Sequence, residues 1–159
     1  MLVLGVGNPM KGDDGIGPAV ASRLALLCSE AGMGPTESGS PLITAFDCGT
    51  TPENYTSVVR RLQPQLLVIV DAAEMGIPPG NCRIIPRERL GALGLSTHSM
   101  PLSLFMSYVG GLADEIVLVG VQPVATTFGR GLSAEALAAI EALVECLLHG
   151  RLRGLPLLD

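Results

Sequence analysis

Short continuous apolar runs alternate in this chain with stretches whose apolar side chains recur every three or four positions. The first pattern suits a strand covered on both faces and the second an amphipathic helix. Leu2 to Val6 is the first run and enters a glycine-rich turn, after which Ile16, Val20, Leu24 and Leu27 mark one face of a helix. A Gly, Ser and Pro-rich loop over residues 32–41 precedes a second strand, Leu42 to Phe46, ending in Asp47. Thr51-Pro52-Glu53 reads as a helix start with Thr51 as N-cap and proline in the first helical position, and Tyr55, Val58, Val59 and Leu62 are its expected buried stripe before Pro64 stops it. Leu66 to Val70, ending at Asp71, has the continuous apolar character of a central strand. Cys82 to Ile85 is a weaker strand, expected antiparallel because too little chain separates it from its predecessor for a helical crossover. A helix starting near Ser99 carries Leu102, Phe105 and Met106; Ile116 to Val121 is another strand; and Ser133 caps a last helix with the stripe Leu137, Ile140, Val144 and Leu147, closed by His149 and Gly150. Strands and helices in alternation imply an α/β fold with a parallel sheet.

Composition narrows the class. A chain of 159 residues buries one good core, and no linker, repeat or low-complexity tract divides it, so residues 1–159 are expected to form a single domain. Hydrophobic residues make up 48% but aromatic ones only 3%, so that core must be aliphatic. Acidic residues exceed basic ones by 15 to 10, and basic residues gather in nothing larger than pairs such as Arg60 with Arg61 and Arg151 with Arg153, which argues against a nucleic-acid partner. Every apolar run breaks off well short of the roughly 20 residues a bilayer span needs. The opening MLVLGVGN lacks the basic region and cleavage site of a secretory signal, so a soluble, cytoplasmic protein is expected. Cys28, Cys48, Cys82 and Cys146 form no C-x-x-C pair, which removes zinc-ribbon and thioredoxin readings. Cys28 and Cys146 fall in apolar helical patterns and are expected in the core; only Cys48 stands near candidate chemistry.

In open α/β sheets, ligands bind beyond the carboxyl ends of the strands, where loops converge and helix N-termini point inward. The polar residues collect at those ends: Asp13 and Asp14 after strand one, Asp47 after strand two, Asp71 at the end of strand three, and Thr97-His98-Ser99 before a helix. Asp14 taken alone reads more readily as a helix cap or dipole partner. Asp71 favours function, because aspartate is depleted in strands and loses hydration beside an apolar run. Asp47 is evenly balanced between a turn and a functional role, and a lone histidine such as His98 is more often structural. His149 at a helix end complements the dipole. As a set, two carboxylates and an imidazole from three segments suit a borderline divalent ion such as nickel, zinc, iron or manganese. The start GVGNPMKGDDGIG fails as a dinucleotide fingerprint, since Met10 stands at the third glycine position, and no G-K-[ST] is present. Its glycines instead let the backbone turn tightly and expose Asp14.

The segments GNPMKGDDGIGP, DCGTTPEN, LLVIVDAAEMG, THSMPL and LVGVQP, in this order over about residues 2–148, resemble the hydrogenase maturation endopeptidases, most closely those serving the formate hydrogenlyase type of enzyme. That resemblance implies a three-layer αβα sandwich, phosphorylase/hydrolase-like, around a twisted, mostly parallel five-stranded sheet. It implies nickel ligands at Asp14, Asp71 and His98 and a substrate-site aspartate at Asp47. It also implies that the nickel is supplied by the substrate, a nickel-iron hydrogenase large-subunit precursor. The expected enzyme is a monomeric endopeptidase, aspartic-type or metal-dependent, that removes the precursor's C-terminal extension after nickel insertion. In it the metal polarises the scissile carbonyl while Asp47 orients or deprotonates water. Two features depart from the family pattern: Cys48 stands where members can carry glycine and could add a thiol ligand, and the tail after Gly150 diverges. Ser96 and Ser99 flank His98 but read as helix caps, with no convincing nucleophile and base pair. The rival readings are a conventional zinc peptidase or amidohydrolase and a non-catalytic nickel-binding module; a nucleotide site ranks third.

Overall fold

The computed structural model describes residues 1–30, 42–91, 93 and 100–159. Five strands form one sheet: β1 (Leu2–Gly5), β2 (Thr44–Asp47), β3 (Leu66–Ala72), β4 (Cys82–Ile85) and β5 (Glu115–Val121). Their order is β2-β1-β3-β5-β4, and all neighbours run parallel except β4, which pairs antiparallel with β5 from Cys82 opposite Val121 to Ile85 opposite Leu118. The expected direction of this strand holds for the expected reason: only a short turn links it to β3.

Alternation along the central strands divides the interior in two. Leu67 and Ile69 of β3 face one cluster with Leu2, Leu4, Val59, Leu102, Phe105 and Met106, whereas Val68 and Val70 face a second with Val3, Ile16, Val20, Leu24, Ile140, Leu143 and Val144. Helices α2 (Thr56–Leu62) and α3 (Leu102–Tyr108) therefore cover one face, and α1 (Ile16–Glu30) and α4 (Ala134–Leu148) the other. These are the three layers expected from the resemblance. Among the described residues no helix is long and apolar enough to cross a membrane.

Several details depart from the sequence reading. The second strand begins at Thr44, leaving Leu42 exposed, and β3 runs on through Asp71 to Ala72. Thr51 makes no side-chain cap; a 3-10 turn, Pro52–Tyr55, precedes α2 instead, whose end is set by Gln63 in the left-handed region at φ 42°. α3 starts at Leu102 after Pro101, and the expected start near Ser99 lies outside the described residues. In α4, Leu137 is 53% exposed; the buried stripe is Ala136, Ala139, Ile140, Leu143, Val144 and Leu147, so small alanines on the inner face were passed over for a larger leucine on the outer one. Leu62 is exposed as well. Cys28 and Cys146 are half-buried at the edge of the helical layer, and Cys48 is the buried thiol.

Candidate active site at the carboxyl ends of three strands

The register places the acidic residues along one crest. Gly5 pairs with Asp47 on one side and with Val70 on the other. Asp47 and Asp71 thus end or nearly end strands two positions apart, which at strand spacing puts their backbones about 10 Å from each other. Between them the chain leaves β1: Val6 N–H donates to Val70 O (2.8 Å), Gly7 N–H to Gly49 O (2.8 Å) and Cys48 N–H to Gly5 O (2.8 Å), so the three strand ends are tied together.

Asp14 reaches the same junction from above. Gly17, one turn into the helical segment, rests so closely on the crest that a Cβ there would stand 2.2 Å from Val6 O and 2.4 Å from Val70 O. Gly7, at φ +142°, lies against the Asp14 carbonyl, where a Cβ would fall 1.8 Å away. These glycines allow the 3-10 turn Gly12–Gly15 to sit directly over the β1–β3 junction. The Asp14 side chain does not cap the helix. Its Oδ2 accepts from Asn8 N–H at 2.8 Å, backward along the chain, and its buried Oδ1 has no hydrogen-bond partner among the described residues. Asp71, in the central strand β3, is completely buried.

Asp13 has a different environment. Burial alone pushes its carboxyl pKa up, but N–H donors from Ser133 and Val124, the Ser133 hydroxyl and the Ala125 amide outweigh that and hold it below the ordinary value. The sequence reading placed Asp13 at the helix start and gave it no role, because its donors lie 111 and 120 residues away. Ser133 was legible as the α4 cap, and it does accept from Ala136 N–H at 3.0 Å. Gln122 was also missed: it is buried after β5, donates to Glu74 and accepts from Met75 N–H, which joins the exits of β3 and β5.

Asp47 is exposed and its Oδ1 accepts from Gly49 N–H at 2.8 Å, the turn role that sequence left evenly balanced. Tyr55 packs on Phe46 with ring centroids 5.5 Å apart and donates its hydroxyl to Asp47 O at 2.8 Å. A groove of about 220 Å³ is lined by Asp47, Pro9, Leu132, Pro18, Ala19, Ser22 and, from the Asp14 turn, Gly15, so Asp47 and that turn border one channel. Cys48 is 4% exposed in the core with its thiol directed at Phe46 O (3.7 Å); burial, then the neighbouring Asp47 charge, pushes its pKa up to about 12. It is a core thiol. His98, Ser96 and Ser99 lie outside the described residues, and among the described residues no three of His, Cys, Asp and Glu group closely enough to hold an ion.

The family model for HycI, hydrogenase maturation protease, matches residues 35–150. The Hydrogenase 3 maturation protease of Escherichia coli K12 is 33% identical over 147 residues, 92% of this chain and 87% of that protein. The chain belongs to the hydrogenase maturation protease family. A putative hydrogenase maturation protease of Methanocaldococcus jannaschii is 31% identical over 77% of this chain and 72% of its own length. Among solved structures, a crystal structure of the Hydrogenase 3 maturation protease superposes with a TM-score of 0.79 at 32% identity, covering 99% of this chain and 96% of that one. The HycI protease of Thermococcus kodakarensis gives 0.75 at 31% identity, covering 94% and 90%. The chain is accordingly a protease of the hydrogenase-maturation type with the α/β fold of those structures.

Proposed function

We propose that this protease removes the C-terminal extension of a nickel-iron hydrogenase large-subunit precursor after nickel insertion, and that it reads the substrate's nickel through Asp14, Asp71 and His98. One observation carries the reading. Among the described residues Asp14 Oδ1, buried at the crest of the sheet, has no hydrogen-bond partner, an arrangement that costs stability unless a ligand completes it. A carboxylate oxygen in that state selects a cation, and a donor set of two carboxylates and an imidazole suits nickel or a similar divalent ion.

In this reading the precursor's nickel docks the scissile peptide over the crevice and polarises its carbonyl. Asp47, held at the mouth of the groove by its turn, orients or deprotonates the attacking water. Water adds to the carbonyl carbon, the C–N bond breaks, and the extension leaves with a new amino terminus. Cys48 takes no part as a nucleophile, since its thiol stays protonated far above neutral pH. A precursor without nickel leaves the buried Asp14 oxygen unsatisfied, so it binds weakly. The test is to incubate the protein with nickel-loaded and nickel-free precursor and to read the masses. Trimming of the loaded form alone is expected; equal trimming of both forms, or of neither, overturns the reading.

A further inference from the structure

Adjacent carboxylates in the turn Gly12–Gly15 are used in opposite ways. Asp14 accepts one hydrogen bond and keeps a buried oxygen without a partner among the described residues. Asp13, only 1% exposed, commits both oxygens to the protein: Ser133 N–H donates to Oδ1 at 2.7 Å, while Val124 N–H and the Ser133 hydroxyl donate to Oδ2 at 2.8 Å each. The main chain repeats the attachment, with Gly12 N–H donating to Arg130 O and Asp13 N–H to Ala125 O, both at 3.0 Å. Ser133 is itself anchored as the cap of α4.

We infer that Asp13 is a positioning residue for the metal-recognising carboxylate. It fastens the turn to the loop after β5 and to the start of α4, and so prevents Asp14 Oδ1 from swinging to a donor of its own. The inference rests on the functional reading above. A buried acceptor without a partner relaxes toward one whenever its backbone is free to move. Here Gly7 blocks movement of the Asp14 carbonyl from one side, and the bonds to Asp13 restrain the turn from the other. Bonds to a charged acceptor are about twice as strong as neutral ones, which suits a single side chain that restrains a whole turn. Asparagine at position 13 keeps the shape yet offers one acceptor oxygen and an NH2 in place of two acceptors, so at least one N–H faces another donor. The turn loosens without a cavity being made.

The experiment uses the full chain and nickel-loaded precursor, with kcat and KM measured well below each variant's melting midpoint. Asp13→Asn is expected to lower kcat/KM by about tenfold to a hundredfold, the usual effect of removing a group that orients a metal ligand. Ser133→Ala should lower it less, and Ser133→Thr, which keeps the hydroxyl, should return it toward wild type. A residue that only supported the fold would shift the melting midpoint and leave the kinetics of the folded protein unchanged. Wild-type kinetics in folded Asp13→Asn overturns the inference; if that variant does not fold, wild-type kinetics in Ser133→Ala does so. A wild-type chain that leaves loaded precursor uncut strikes the functional reading itself, whereas an active wild type beside an unimpaired Asp13→Asn strikes the positioning role alone.

Discussion

Asp14→Asn separates the cost of the unsatisfied oxygen from its use. The amide oxygen of asparagine can keep the 2.8 Å bond from Asn8 N–H, so that interaction survives, while the buried oxygen without a partner becomes a neutral NH2. A buried acceptor left unpaired costs about 1–3 kcal/mol, more when charged. The NH2 recovers only part of this, because it too lacks a partner, so a net gain of about 1–2 kcal/mol is expected. For a domain of this length each kcal/mol moves the melting midpoint by about 2–4 °C, which gives a rise of roughly 2–8 °C. On the proposed function the same substitution removes a nickel ligand, so the variant should melt higher than wild type and leave loaded precursor uncut. Thermal melting by circular dichroism and the precursor's mass supply both readouts. A lower melting midpoint would refute the account of the buried oxygen, and wild-type trimming would refute its assignment to the metal.

Gly17→Ala forces a methyl to within 2.2 Å of Val6 O and 2.4 Å of Val70 O, both backbone, and should destabilise by at least the ~1–3 kcal/mol of an overpacked core, whereas Gly131→Ala, with open space around it, should stay within about 0.5 kcal/mol of wild type in denaturant titrations. Because the folded protein lowers the Asp13 pKa, the stability that this carboxylate contributes is present above its unfolded value and lost as pH falls through its folded value. The melting difference between wild type and Asp13→Asn should therefore hold steady above about pH 5 and shrink below about pH 4; a difference that stays constant down to pH 2 contradicts the assigned bonds. Cys48, held protonated with a pKa near 12, should resist iodoacetamide in the native protein at pH 8 and react after unfolding, as read by peptide mass; rapid native labelling would remove it from the core.

Strand identity was legible because the central strands are short, continuously apolar and β-branched, as in Val68-Ile69-Val70, which no amphipathic helix resembles. The antiparallel edge followed from connection length alone. Helix faces were less legible: Leu137 matched the period of α4, but the smaller Ala136 and Ala139 are the residues buried against the sheet, and a weakly apolar alanine gives little sign along the sequence of which face it takes. At the site, Asp47 and Asp71 were legible from their place at the ends of β2 and β3, which flank β1, and Asp14 from its place in the turn that follows β1. What stayed hidden was long-range: nothing near Asp13 indicates that its donors come from Val124 and Ser133, and nothing near Gln122 announces Met75 as a partner. Local pattern reports which side chains face inward, and only the assembled fold decides which of them meet.

The glycine-rich opening illustrates how the same residue types serve opposite electrostatic ends. A loop that cradles phosphate must keep its backbone N–H groups free and bring a helix N-terminus to bear on the anion. Here every residue from Val6 to Asp14 that has an N–H donates it inside the protein: to strand β3, to Gly49, to Asn8 and Lys11, to the loop after β5, and to Asp14 itself. No amide remains for an anion, and a carboxylate occupies the position where one would bind. The glycines supply closeness instead, since Gly5, Gly7 and Gly17 each meet backbone at distances no Cβ tolerates. With the donors consumed and one acidic oxygen left over, the loop suits positive charge rather than an anion, and the failed dinucleotide fingerprint follows from the same geometry that leaves the Asp14 oxygen for the metal of the proposed function.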